Sequence, residues 1–237
     1  MKTKNDNKYL NNFMRGFIGL FTYLVLNFGI GKILTLCGVN VEELTRKQAL
    51  FVSFGVSFTV IVVLILLFHK TLGKNIKDYK KNWKEYFKRN IKYWVCSLAF
   101  MYVFNFVIAI IFNRLTSAND ATIRELFDVL PLYIVIEATI IAPITEELVF
   151  RQSIRSMIKN KWVFIILSGL IFGFMHTIAS LKDVADFLYI IPYSIPGCFF
   201  AYMLYEEDKV LVPMTFHVIH NSMAIILLII SKLAGIV

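Results

Sequence analysis

The chain has 237 residues, of which 58% are hydrophobic and only 17% charged, with a formal charge of +9; its mean hydropathy is +0.67. That balance excludes a soluble domain of this size and indicates a polytopic helical membrane protein. Nucleic acid is not the partner implied by the positive charge, because Lys and Arg gather in a few segments between apolar runs, as topology determinants do. Cys37, Cys96 and Cys198 are far apart and form no CxxC pair, which argues against a disulfide framework or a thiolate metal site. The Lys-, Asn- and Ile-rich usage suggests an AT-rich bacterial genome.

Lys2, Lys4 and Lys8 precede an apolar run that begins at Phe13 and outlasts a signal-peptide core, with no small-x-small site after it. It reads as a retained first helix. Apolar runs of spanning length fall at about residues 13–36, 48–69, 92–113, 130–155, 162–180, 185–205 and 211–232. The expected fold is therefore all-α, with about seven transmembrane helices, or eight if one run is split by a kink. No internal repeat or linker divides the chain, so residues 1–237 read as a single transmembrane domain.

Placing the N-terminus in the cytoplasm puts Lys2, Lys4, Lys8, Arg15, the segment Lys70 to Lys92, Arg155, Lys159, Lys161 and Lys209 on that side. The other side keeps only Lys32, Arg46, Lys47, Arg114, Arg124, Lys182 and Lys232. Residues 70–92 interleave Lys with Trp83, Tyr86 and Phe87, and Tyr93 and Trp94 follow, all at loosely helical spacing. This reads as an amphipathic interfacial helix on the cytoplasmic side, with anionic lipid or an acidic peptide as its counter-charge, in preference to a solvated basic loop.

Glu146 and Glu147 lie inside the fourth run, where an ionisable residue costs roughly 2.5 kcal/mol or more to insert. The fifth run carries His176 and the seventh His217, His220 and Asn221. Counted from the cytoplasmic boundary, Glu146 and Asn221 come out roughly 18 Å deep, His176 about 22 Å and His217 nearer 12 Å. They share a layer although they are far apart in sequence. Glu147 and Arg151, four apart, pair along one face and leave Glu146 turned another way. His217 and Asn221 are also four apart, with His220 beside their face. Pro143 is expected to loosen the fourth helix beside Glu146. Gly169 and Gly173 permit a close helix approach that brings His176 inward.

Glu146 is thus the candidate general base for a water, His176 a partner that positions the water or ligates a metal, and His217 and Asn221 the donors to an oxyanion. Glu146, His176 and His217 also form a carboxylate-plus-two-imidazole set for zinc or another divalent ion, although no HExxH pair supports it. The sequence leaves water and metal both open. The bland reading of each residue, an interhelical hydrogen bond or an anchoring Arg, loses ground because three helices supply matching residue types at similar depth.

The ordered strings Glu146-Glu147-Leu148-Val149-Phe150-Arg151, Phe172 to His176 and His217 to Asn221 resemble the EExxxR, FxxxH and HxxxN motifs of the CAAX protease and bacteriocin-processing (Abi) family. The likeness covers roughly residues 130–225; the first hundred residues carry no family signal. It implies an intramembrane glutamate-dependent endopeptidase, often described as a metalloprotease, with Glu146 as base, His176 as its partner, His217 and Asn221 on the oxyanion side, and Glu147 and Arg151 as support. It further implies a hydrophobic or amphipathic peptide substrate, of the kind met in bacteriocin maturation or immunity and in peptide-pheromone quorum sensing. The competing expectation is a non-enzymatic membrane immunity or regulatory protein that binds a peptide or membrane partner and keeps the motifs for structure. A proton-coupled transporter fits less well, since no pair of related halves is visible.

Overall fold

A computed structural model describes residues 4–114, 116–181 and 183–235. Lys2 and Lys182, named above as topology determinants, lie outside the described residues, as do the side chains of Lys4 and Lys8. Helix α1 (Lys4–Leu36) ends in a tight turn in which Gly38, at φ +83°, takes a left-handed conformation that a side chain would oppose. A short 3₁₀ turn (Val41–Glu43) leads to α2 (Arg46–Phe112), started by a capping box between Thr45 and Gln48.

Helix α2 is 67 residues long, a length of about 100 Å if straight, yet its two arms return to the same end of the bundle. Near its start, Ser57 donates to Glu137 at 2.7 Å. Just beyond its finish, Arg114 pairs with Asp183 and Asp186 at 3.0 and 2.6 Å. Its middle meets the opposite end, where Asn75 accepts from the Val210 N–H at 2.8 Å and Arg89 pairs with Glu207 at 2.7 Å. The helix therefore arches, and the two apolar runs expected at 48–69 and 92–113 are its arms. The basic segment 70–92 is helical as expected and forms the crown of the arch.

Helix α3 (Ala118–Val129), which hydropathy did not suggest, is capped by Ser117 and precedes a continuous helical run over 131–157. That run alternates α4 (Pro131–Ile136), a π-helical turn (Glu137–Ile141), α5 (Ala142–Glu146), a second π-helical turn (Glu147–Ser153) and α6 (Ile154–Met157). Helices α7 (Lys161–Thr177), α8 (Val184–Leu188), α9 (Ile190–Glu207) and α10 (Leu211–Leu233) complete the bundle. No strand occurs among the described residues, and the all-α membrane reading holds.

Four helical stretches among the described residues are long and apolar enough to cross a membrane: 9–36, 46–112, 184–207 and 211–233. The second contains both arms of the arch. Residues 161–177 form a shorter apolar helix, and the run over 131–157 is broken by its π turns. The outer surface is apolar, with Phe51, Leu66, Phe106 and Ile110 each about two-thirds exposed, the side chains that acyl chains would cover. The interior joins Val60, Leu64 and Phe68 of α2 to Leu148, Val149 and Phe150, then to Phe164 and Phe172 of α7 and Ala201 and Leu204 of α9.

The most extensive helix contact is between α7 and α9. A Cβ at Gly169 would stand 2.2 Å from the Cys198 Sγ, and one at Gly173 would stand 2.5 Å from the Ile190 carbonyl. The two glycines expected to permit close approach are therefore what allow it, and α9 is the neighbour they admit. The charges divide as the sequence grouping requires. Lys161 meets Glu206 and Lys209 approaches Asp78 at the basic end, while Lys232 meets Asp128 at the other.

Candidate active site

The site begins with a break in helical regularity. Pro143 has no N–H, and its ring would collide with a carbonyl one α-turn back, so the chain widens into a π turn over Glu137–Ile141. The Ala142 N–H reaches back five residues to the Glu137 carbonyl. Continuing that register, the Ala138 carbonyl would be taken by residue 143, which has no donor to give. Asn221 of α10 supplies one instead, its Nδ2 donating to Ala138 at 2.9 Å. One of the two N–H groups of Asn221 is therefore spent on the backbone of the fourth run.

At the junction of α5 and the second π turn, the two glutamates part as expected. Glu147 is wholly buried; its Oε2 lies 3.4 Å from the Arg151 Nε, and its Oε1 meets the His217 Nδ1 at 2.8 Å. Glu146 faces the other way, with Oε1 3.9 Å from the His176 Nε2 and Oε2 3.5 Å from the His217 Nε2. Its side chain keeps 15% of its surface, and that of His176 keeps 19%. Glu146, His176 and His217 are thus brought together from three helices.

The partners of each Nδ1 fix which face of the ring carries its proton. His176 Nδ1 meets the Phe172 carbonyl at 2.9 Å, an acceptor with no proton of its own. His217 Nδ1 meets a carboxylate. In the neutral rings both protons therefore sit on Nδ1, and both Nε2 lone pairs face Glu146. Three acceptors converge, and Glu146 Oε2 is buried without a hydrogen-bond donor. A water placed there would find acceptors for both of its hydrogens.

Phe172 explains its place in the FxxxH string. Its ring lies under the Arg151 guanidinium at 4.2 Å, against His176 at 4.2 Å and edge-on to His217 at 5.7 Å. Arg151, fully buried, also reaches the Gly197 carbonyl at 3.5 Å. His220, adjacent to the site face as expected, is partly buried with its Nδ1 unpartnered and its ring 6.4 Å from Phe200.

Three contributions were not read from the sequence. The link from Glu147 to His217 crosses helices, and no local spacing announces it. Tyr193 of α9 stacks on His176 at 5.0 Å, and its hydroxyl is held by Ser117 at 2.7 Å and by Asp120 at 3.1 Å. Glu137 is a third carboxylate within the fourth run that the motif reading passed over; it accepts from Ser57 and leaves Oε2 buried without a partner. Its insertion cost was the available signal.

Of the expected metal set, Glu146, His176 and His217 carry donor types that suit zinc, and the two imidazoles meet different oxygens of Glu146, at 3.9 and 3.5 Å.

The fold and site define an all-α membrane protein with a buried glutamate–histidine centre. Residues 128–223, which carry that centre, match the family described as type II CAAX prenyl endopeptidase Rce1-like. The chain is 28% identical over 114 residues to "Putative membrane peptidase YdiL" of Bacillus subtilis (strain 168), covering 47% of this chain and 43% of that one. It is 29% identical over 194 residues to an uncharacterized protein of Mycoplasma capricolum subsp. capricolum, covering 74% of this chain and 54% of that one. The chain thus spans about half the length of these curated relatives. No solved structure matches. Residues 128–223 are thus similar to the Rce1-like family, and the likeness covers the stretch that carries Glu146, His176, His217 and Asn221.

Proposed function

We propose that this chain is a membrane endopeptidase that hydrolyses a peptide bond with water activated by Glu146. The observation that carries the reading is the placement of one carboxylate within 4 Å of two imidazole nitrogens from other helices. The family match over the same residues and the peptidase name of the Bacillus relative support it. Glu146 takes a proton from the attacking water, and the Nε2 atoms of His176 and His217 hold the water in line. The proton then passes from Glu146 to the leaving amine as the C–N bond breaks, so Glu146 ends as it began. Asn221, through the N–H not given to Ala138, is the oxyanion donor.

Glu147 and Arg151 act through His217 and Phe172 and are positioning residues. No step here requires a metal. The substrate class we propose is a hydrophobic or amphipathic peptide, of pheromone- or bacteriocin-maturation type. We propose a cytoplasmic N-terminus in a bacterial cell, a reading supported by the basic end of the bundle and the two bacterial relatives. The test is cleavage of internally quenched apolar peptides by the reconstituted protein, with metal content measured on the same sample. Glu146→Gln should abolish cleavage with folding and insertion unchanged. Cleavage at the wild-type rate in that variant overturns the reading, as would activity that tracks a stoichiometric metal for the metal-free step.

A further inference from the structure

At the basic end of the bundle, away from the glutamate–histidine centre, is a cavity of about 690 Å³ lined by α1, the crown of α2, α6 and the α9–α10 turn. Five cationic side chains border it, Arg15, Lys70, Lys74, Arg155 and Lys209, against two carboxylates, Asp78 and Asp208. Of the two, Asp78 already receives hydrogen bonds from Tyr86 and Asn82 and lies 4.0 Å from Lys209. No carboxylate among the described residues lies within ion-pair distance of Arg15, Lys70, Lys74 or Arg155. Like charges drawn from separate elements into one concavity repel unless an anion joins them.

The walls are built. Arg155 is fixed by stacking on Tyr205 at 4.7 Å and by donating to the Ile158 carbonyl at 3.1 Å. Asn75 is only 5% exposed and lines the cavity; Val210 occupies its Oδ1, so its amide N–H₂ is the group left to the cavity. One turn towards the membrane from Lys70 and Arg15, Leu66 is 66% exposed and Ile18 40% exposed. An occupant that satisfies both the cationic cavity and this apolar rim has an anionic head and hydrocarbon tails.

We infer that the cavity binds the phosphate headgroup of an anionic phospholipid. Its volume exceeds what a lone oxyanion fills, and an acidic peptide would leave the apolar rim uncovered. Bound there, the lipid ties α1 and the crown of α2 to the end of the run that carries Glu147 and Arg151.

The experiment measures retention of phosphatidylglycerol and of phosphatidylcholine by the purified full chain in neutral detergent, by native mass spectrometry. Phosphatidylglycerol should be retained preferentially. The double variant Lys70→Gln/Lys74→Gln should weaken its binding about thirtyfold, taking roughly one unit of surface attraction per removed charge. Lys84→Gln/Lys88→Gln, basic residues of the same segment outside the cavity, should weaken it less than about threefold. Equal loss in both double variants, or equal retention of phosphatidylcholine, overturns the site. Displacement of the lipid by inorganic phosphate at matched concentration would assign a free oxyanion instead, and binding of an acidic peptide without lipid would assign a peptide; either result overturns the lipid assignment.

Discussion

Replacing Gly173 by Ala isolates the packing that brings His176 to Glu146. The added Cβ would stand 2.2 Å from the Ser194 Oγ, 2.5 Å from the Ile190 carbonyl oxygen and 2.8 Å from the Ser194 nitrogen. A hydroxyl can rotate away, but the other two atoms are backbone. Normal contact therefore requires α7 and α9 to part by on the order of 1 Å. Overpacking of this kind costs about 1–3 kcal/mol, against roughly 1 kcal/mol gained by removing a glycine from a helix. The net expectation is a loss of up to about 2 kcal/mol. His176 lies three residues further along α7 and stacks on Tyr193 of α9, so the separation shifts the imidazole relative to Glu146. A displacement of about 1 Å at a reacting group lowers the rate on the order of a hundredfold. The comparison is Gly31→Ala in α1, where a Cβ meets nothing within 4 Å and a gain of up to about 1 kcal/mol is expected. Unfolding midpoints in detergent and peptide cleavage should be measured on both. If Gly173→Ala raises the midpoint as Gly31→Ala does and leaves cleavage intact, the close approach of α7 and α9 is not what positions His176.

Arg151→Ala should destabilise by about 3–5 kcal/mol, because it leaves the Glu147 carboxylate buried without its cation; Glu147→Ala/Arg151→Ala should lose much less than the sum, measurable as a double-mutant cycle in detergent unfolding. At the end of the bundle opposite the basic cavity, the Asp186 N–H holds the Asp183 carboxyl below its usual range against the opposing effect of desolvation, and the Arg114 guanidinium adds to the depression. A depressed folded-state value means this stabilisation is complete above the ordinary Asp value of about 3.9 and is lost as pH falls through the lower folded one. The midpoint gap between wild type and Asp183→Ala should thus stay constant from about pH 8 to 5 and close only below about pH 4; closure near neutrality would show that the contact does not set it.

What the sequence could disclose was whatever local spacing and lipid cost encode. Glu147 and Arg151 sit one helical turn apart, so their pairing was legible, as was the outward turn of Glu146. Gly169 and Gly173 announced a close neighbour but not which one, since the identity of α9 depends on Ser194, Gly197 and Cys198 meeting them across the bundle. Helix α3 is amphipathic and too polar for a hydropathy window, so its hold on Tyr193 through Ser117 and Asp120 was invisible. The arch of α2 was read as two spans and a surface helix, because hydropathy sees the change of solvent at residues 70 and 92 and not the continuity of the backbone. The bond between Glu147 and His217 joins residues 70 apart, and no periodicity reaches that far.

Motif spacing and helix geometry also explain each other. A regular α-helix places residues four apart on one face, which suits the pair Glu147 and Arg151, and turns Glu146 about 100° away, but it does not set which side of His217 each glutamate meets. The π turns do. The first, forced by Pro143, frees the Ala138 carbonyl and draws in Asn221, which fixes α10 in height and rotation against the fourth run. With α10 so held, His217, one turn earlier, lies beside the second π turn, where Glu147 takes its Nδ1 and Glu146 faces its Nε2. A proline in the fourth helix and an asparagine in the last therefore set the side of His217 that each glutamate meets. This gives the final residue of the HxxxN string a structural role that is separable from its proposed part in hydrolysis.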